Sequence, residues 1–210
     1  MKRGALNQMV FSLYFFLRDV CRRDFYTYVR EHFGDCQQTD KAMSELLQNF
    51  IGKITTIANV SPKLAHMALA WLFLTTYPDW DYRRVGLHMI AVDSLVHTFL
   101  HQTGILADYR LDHPYGPRCH AEAGCLGVIH DLARRIDCRE FNPTLPALFP
   151  RFIQYHIWAY CGQAGENICN LNECKPGKPN SACVLHQQGL RAELPPQRPA
   201  RQPGDEYLFS

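Results

Sequence analysis

The 210-residue chain contains no apolar run of the roughly 18–20 residues that a membrane-spanning helix requires. Its longest candidate, residues 9–17, stops at Arg18 and Asp19, with Arg22 and Arg23 close behind. No small-residue cleavage site follows, so the stretch does not read as a secretory leader. The expectation is a soluble intracellular protein with no membrane partner, in the cytoplasm or nucleoid, or in the nucleus if the source is eukaryotic. Strand alternation of any length is missing, and so is an internal repeat. Charge of one sign is missing too: 22 lysines and arginines face 20 acidic residues, a formal net charge of +2. That balance excludes a polyionic chain, but paired arginines at Arg22 and Arg23, Arg83 and Arg84, and Arg134 and Arg135 permit a nucleic-acid partner.

What remains is enough for a core. Hydrophobic residues make up 47% of the chain, an ordinary globular share, and their spacing is helical. Val10, Leu13, Tyr14, Leu17, Val20 and Cys21 share a face, which predicts a helix over residues 9–33, stopped by Gly34 and Asp35. Asp40 caps a second helix over 41–54. Ser61 and Pro62 start a third over 61–76, where serine caps and proline fits the first turn. Residues 78–81 read as a loop, 94–103 as a helix closed by Gly104, 120–136 as a helix and 149–160 as a buried aromatic one. The predicted fold is all-α: one helical domain over 1–192 and a disordered proline-rich tail over 193–210.

Nine cysteines are an odd number for a secreted disulfide framework. Cys161, Cys169, Cys174 and Cys183 crowd into the 23 residues 161–183, within a Gly- and Pro-bearing stretch. Four thiolates so placed are candidate ligands for a [4Fe–4S] cluster or zinc, with free thiols or a disulfide as the plain alternative. His120 beside Cys119 and Cys125 is a weaker second candidate.

The chemistry-bearing segments lie earlier. Ile57-Ala58-Asn59-Val60-Ser61-Pro62-Lys63-Leu64-Ala65 has the apolar spacing of a tight turn between two helices, with a lysine at the start of the second. Ile90-Ala91-Val92-Asp93 ends an apolar run on an aspartate just before Leu95, Val96, Phe99 and Leu100. An amine and a carboxylate delivered by two helix starts can perform nucleophilic chemistry. Taken singly, Lys63 also suits an exposed first turn and Asp93 a helix cap; His66, His97 and His101 suit structural or surface roles on helix faces.

In order and approximate separation, these segments resemble the helix-hairpin-helix (HhH-GPD) superfamily of DNA glycosylases, endonuclease III-like and divergent. The hairpin at 57–69 is similar to that family's Leu-Pro-Gly-Val-Gly-x-Lys-Thr-Ala, and Ile90-Ala91-Val92-Asp93-Ser94-Leu95-Val96 to its Val-Asp-Thr-His-Val. Phe149-Pro150-Arg151-Phe152 through Trp158-Ala159-Tyr160-Cys161-Gly162 resembles its late helix. Asn59 and Ser61 stand where the family has the two hairpin glycines, and asparagine tolerates the left-handed backbone better than most residues. The gap from Lys63 to Asp93 is longer than the family's.

The resemblance implies a two-lobed HhH-GPD-like fold ending in an irregular Cys-rich loop, and a base-excision repair activity on duplex DNA carrying a damaged base or abasic site. It implies Lys63 as the nucleophile of a bifunctional glycosylase/AP lyase (a hydrolase and lyase in one), Asp93 as the catalytic carboxylate, and Asn59, Val60 and Ser61 as the phosphate-binding turn. It also implies the iron–sulfur loop at Cys161, Cys169, Cys174 and Cys183, and a monomer. Trp71, Tyr155, His156 and Trp158 are aromatic candidates for the base pocket. Two other readings compete: a hairpin module that grips DNA without chemistry, and a metal-binding interaction protein.

Overall fold

The structure, a computed structural model, describes residues 4–34, 40–75 and 80–162. Within them the chain is helical, with no strand. Nine α-helices follow in order: α1 (Ala5–Phe15), α2 (Phe25–Phe33), α3 (Asp40–Ile54), α4 (Pro62–Thr75), α5 (Trp80–Leu87), α6 (Ser94–Gln102), α7 (Ile105–Asp108), α8 (Cys125–Arg135) and α9 (Pro150–Cys161). Residues 163–192 and the tail at 193–210 lie outside the described residues, and so do Cys169, Cys174 and Cys183.

The single helix predicted over 9–33 is two. α1 runs into a π turn (Phe16–Val20), and the chain then breaks at Arg22 (φ 51°) and Arg23 (φ 64°). Asp24 restarts it, accepting from the Thr27 amide at 3.0 Å as the N-cap of α2. Apolar residues surround α1 rather than lining one face, and none of them is buried; no helical stripe therefore dictated continuity. The helix predicted from 120 begins only at Cys125, after a 3₁₀ turn (Pro117–His120). α5 is a helix where part of a loop was expected; Tyr82 and Val85, one turn apart, turn inward.

The apolar interior is in two parts. One gathers Phe33, Met43, Leu47, Phe50, Ala70, Phe73, Tyr82, Val85 and Met89 from α2 to α5 and the residues just after it. The other gathers Ile90, Val92, Val96, Leu100, Leu106, Leu126, Ile129 and Ile157 from α6 to α9 and the segment leading into α6. Phe50 centres the first, its ring 5.0 Å from that of Phe33 and 6.0 Å from that of Tyr28. The chain crosses from one core to the other between Met89 and Ile90, so the segment that ends in Asp93 is buried on its way to α6.

Polar side chains meet where elements of the two halves face each other. Ser44 of α3 donates to Glu122 and lies 3.5 Å from His130 of α8, whose Nδ1 is 3.2 Å from Glu122 Oε1. His66 of α4 is 1% exposed and its Nδ1 has no hydrogen-bond partner. Burial, with the nearby His120, His130 and Arg151, pushes its imidazole down to about 3, so it is neutral at pH 7.

Candidate functional site: an amine–carboxylate pair beside a His/Cys group

The turn between α3 and α4 is built from local bonds. Val60 N–H donates to Ile57 O at 3.1 Å, Asn59 takes the left-handed conformation (φ 62°), and Ser61 Oγ accepts from Leu64 N–H at 3.3 Å. Serine thus caps α4, and Pro62 occupies its first position, where its missing N–H costs nothing. The side chain of Asn59 reaches back to Ala5 O at 3.2 Å, and Ser12 Oγ takes the Ala58 amide at 3.0 Å, so α1 buttresses the turn. Lys63 therefore leaves the first turn of α4 from a fixed base.

Asp93 approaches from the other half. Its Oδ1 accepts from Val96 N–H at 3.0 Å, which makes it the N-cap of α6. Its second oxygen lies 3.7 Å from Lys63 Nζ. The two side chains are unequally buried, Lys63 41% exposed and Asp93 11%. The cap fixes the carboxylate, and the lysine stays reachable from solvent. His120 flanks the pair: burial first, and then the Lys63 ammonium, hold its imidazole below its ordinary range, against a raising pull from Cys119.

One turn beyond Asp93 on α6, His97 enters a second constellation. The ligand atoms of His97, His113, Cys119 and Cys125 all lie within 4.8 Å of one another, and all four residues are buried. His97 Nδ1 is 3.5 Å from Cys119 Sγ and 3.3 Å from Cys125 Sγ. His113 Nε2 is 3.4 Å from Cys119 Sγ and 3.6 Å from Cys125 Sγ. His113 Nδ1 hydrogen-bonds the Leu111 carbonyl, which places the proton there and turns the lone pair of Nε2 toward the sulfurs. Such a group could hold a metal ion. Hydrogen bonds from Cys125 and His97, and the Gly116 amide at 3.5 Å, hold the Cys119 thiol well below its ordinary range, while the hydrogen bond to Cys119 and burial push Cys125 up.

The loop carrying these residues folds back closely on itself. A Cβ on Gly124 would sit 1.9 Å from Arg118 O, and one on Gly127 2.0 Å from Glu122 O. Only glycine lets the start of α8 pack against the 3₁₀ turn and so bring Cys125 to Cys119.

The structure places the other sequence candidates more simply. His120, expected beside Cys119 and Cys125, is not among the four grouped residues; His113 and His97 take that place, and its Nδ1 is buried without a partner. Cys161 ends α9, 1% exposed, packed with Leu95, Phe99 and Tyr160. The five described cysteines are all unbridged. Trp71 and Tyr155 are exposed, and Trp158 packs against the second core. The His156 ring lies on Phe152, centroids 4.0 Å apart. No helix is long and apolar enough to cross a membrane among the described residues. Compared with protein-family models, curated proteins and solved structures, the chain matches none.

Proposed function

We propose that the protein is a bifunctional DNA glycosylase/AP lyase that acts on a damaged base in duplex DNA through Lys63 and Asp93. One observation carries this reading: Lys63 Nζ and Asp93 Oδ2 lie 3.7 Å apart, the amine half-exposed and the carboxylate fixed by its own helix. A lysine ammonium is no nucleophile until it gives up a proton, and Asp93 is the base within reach. The freed amine attacks the sugar C1′ as the bond to the damaged base breaks, the base leaving with a proton. The negative charge of Asp93 stabilises the cationic sugar in that step. The ring opens to a Schiff base on Lys63; loss of a C2′ proton then expels the 3′ phosphate by β-elimination, and water releases the amine. The target base must first leave the stack, at a cost of a few kcal/mol.

The hairpin serves the same reading. Its turn at Asn59, Val60 and Ser61 leads into the N-terminus of α4, where backbone amides and the helix dipole favour a phosphate. A two-lobed arrangement, with DNA against the seam between the two apolar cores, belongs to this proposal, and so does a monomeric state.

A second reading, a hairpin that grips phosphates without chemistry, is favoured by the bonds of Asn59 and Ala58 back to α1, which fix the turn independently of Lys63. Borohydride trapping separates the two. The protein is incubated with duplexes carrying 8-oxoguanine, oxidised pyrimidines, mismatched uracil or an abasic site. Lyase chemistry gives a covalent adduct that disappears in Lys63→Gln. DNA affinity without an adduct on any duplex establishes the non-catalytic module instead.

A further inference from the structure

We propose that His97, His113, Cys119 and Cys125 form a closed, tetrahedral zinc site that holds α6, and with it Asp93, against the start of α8. The site stands on its own donor geometry and goes beyond the lyase reading.

Zinc binds imidazole nitrogen at about 2.0–2.1 Å and thiolate sulfur at about 2.3 Å. In a regular tetrahedron those bond lengths put each nitrogen about 3.5–3.6 Å from each sulfur. All four nitrogen–sulfur separations here fall at 3.3–3.6 Å. Each sulfur thus neighbours both nitrogens, and the four atoms surround a single point. A two-iron cluster with two histidines on one iron and two cysteines on the other would hold the nitrogens well apart from the sulfurs. A four-iron cluster needs wider ligand separation still, and more commonly four thiolates. Two imidazoles and two thiolates in one tetrahedral shell suit zinc, and hard oxygen-seeking cations are excluded by the sulfurs.

The surroundings are those of a metal ligand set. The Leu111 carbonyl fixes the tautomer of His113 that offers Nε2, and the Gly116 N–H points at Cys119 Sγ. All four ligands are buried, so no position faces solvent for a substrate, and the role is structural rather than catalytic. The ligands come from α6, the loop after α7, the 3₁₀ turn and the first residue of α8. Residues 109–124 between α7 and α8 include only a single 3₁₀ turn, and one ion would tie that loop down at three points along its length and exit. His97 lies four residues after Asp93, and its amide donates to Asp93 O at 3.0 Å. Fixing His97 therefore fixes the turn that Asp93 caps.

The test is metal analysis of the full-length protein, with cobalt replacing zinc as a spectroscopic probe. The proposal predicts one zinc per chain and, in the cobalt form, tetrahedral ligand-field bands with thiolate charge transfer. Cys119→Ser and His113→Gln should lose the ion, while Cys161→Ser, outside the four ligands, should keep it. The wild-type cobalt spectrum decides the geometry even if a ligand variant fails to fold, because its charge-transfer intensity should be that of two thiolates and not of the four at Cys161, Cys169, Cys174 and Cys183. Iron with inorganic sulfide that is lost in Cys119→Ser, an octahedral cobalt spectrum, no ion bound after reconstitution, or zinc retained in Cys119→Ser but lost in Cys161→Ser would each overturn it. None of these outcomes depends on DNA, so a failed zinc site and a failed lyase reading remain distinct.

Discussion

Asp93 performs two tasks through two oxygens, and a pair of substitutions separates them. Oδ1 caps α6 by accepting from Val96 N–H at 3.0 Å; Oδ2 faces Lys63 Nζ at 3.7 Å. Asparagine keeps an oxygen for the cap and removes the charge, whereas alanine removes both. Losing an aspartate N-cap to alanine costs about 0.5–2 kcal/mol, and asparagine caps about as well as aspartate. The ion pair adds little to folding, about 0–1 kcal/mol, because Lys63 is 41% exposed and the Coulomb gain is screened. Asp93→Asn should therefore unfold in urea within about 1 kcal/mol of the parent, and Asp93→Ala about 1–2 kcal/mol below it. Both should lose glycosylase turnover by orders of magnitude, because the base that frees the Lys63 amine is gone. Equilibrium urea curves and single-turnover cleavage of a damaged duplex measure the two effects. The reasoning fails if Asp93→Asn is as destabilised as Asp93→Ala, which would make the charge structural. It fails equally if Asp93→Asn cleaves as fast as the parent.

Other consequences follow from particular residues. His66 is buried and neutral, its folded value held near 3 against an ordinary 6.5. Its stabilising contribution is complete above pH 6.5 and is lost as the pH falls toward 3, since the unfolded chain binds the proton first; at pH 5 the loss is about 2 kcal/mol. Urea curves at pH 7.5 and 5.0 should show a drop larger by about that amount in the parent than in His66→Gln, in which His32, His101 and His120, also held below their ordinary range by burial, still contribute. Gly124→Ala must displace the Arg118 carbonyl, which a Cβ would approach to 1.9 Å; thermal melts should show at least about 1–3 kcal/mol of destabilisation, with weakened metal retention. Phe50→Ala should cost about 3–5 kcal/mol in urea, because the ring is fully buried among Phe33, Tyr28 and Phe25.

The all-helical class was legible because periodicity records burial directly. Ser61-Pro62 opens α4, Asp93 caps α6, and Gly104 (φ 79°) follows it in the left-handed conformation that the sequence suggested. Lys63 and Asp93 drew notice as two polar groups at helix starts, and folding brings them to 3.7 Å across thirty residues of chain. The break between α1 and α2 was not legible. It turns on two arginines in the left-handed region, a conformation their side chains do not favour. α5 was obscured by Pro78 and Asp79, although Tyr82 and Val85 already carried a helical spacing.

The His/Cys group was missed for a different reason. Its members sit at 97, 113, 119 and 125, on four separate elements, without the short paired spacing that marks a zinc knuckle. His97 read as a helix-face residue, and His113 as part of the loop His113-Pro114-Tyr115-Gly116-Pro117. The available signal was Cys119-x5-Cys125 with a histidine six residues before it, and it pointed to His113 rather than to the adjacent His120.

Mapping the borohydride-trapped adduct tests the lyase proposal most directly. The parent is trapped on an abasic duplex, digested with protease and nuclease, and the sugar-bearing peptide is sequenced by mass spectrometry. The account predicts the modification on Lys63 and on no other amine. An adduct on the N-terminal amine or another lysine, or no adduct beside a folded, DNA-binding protein, would contradict it.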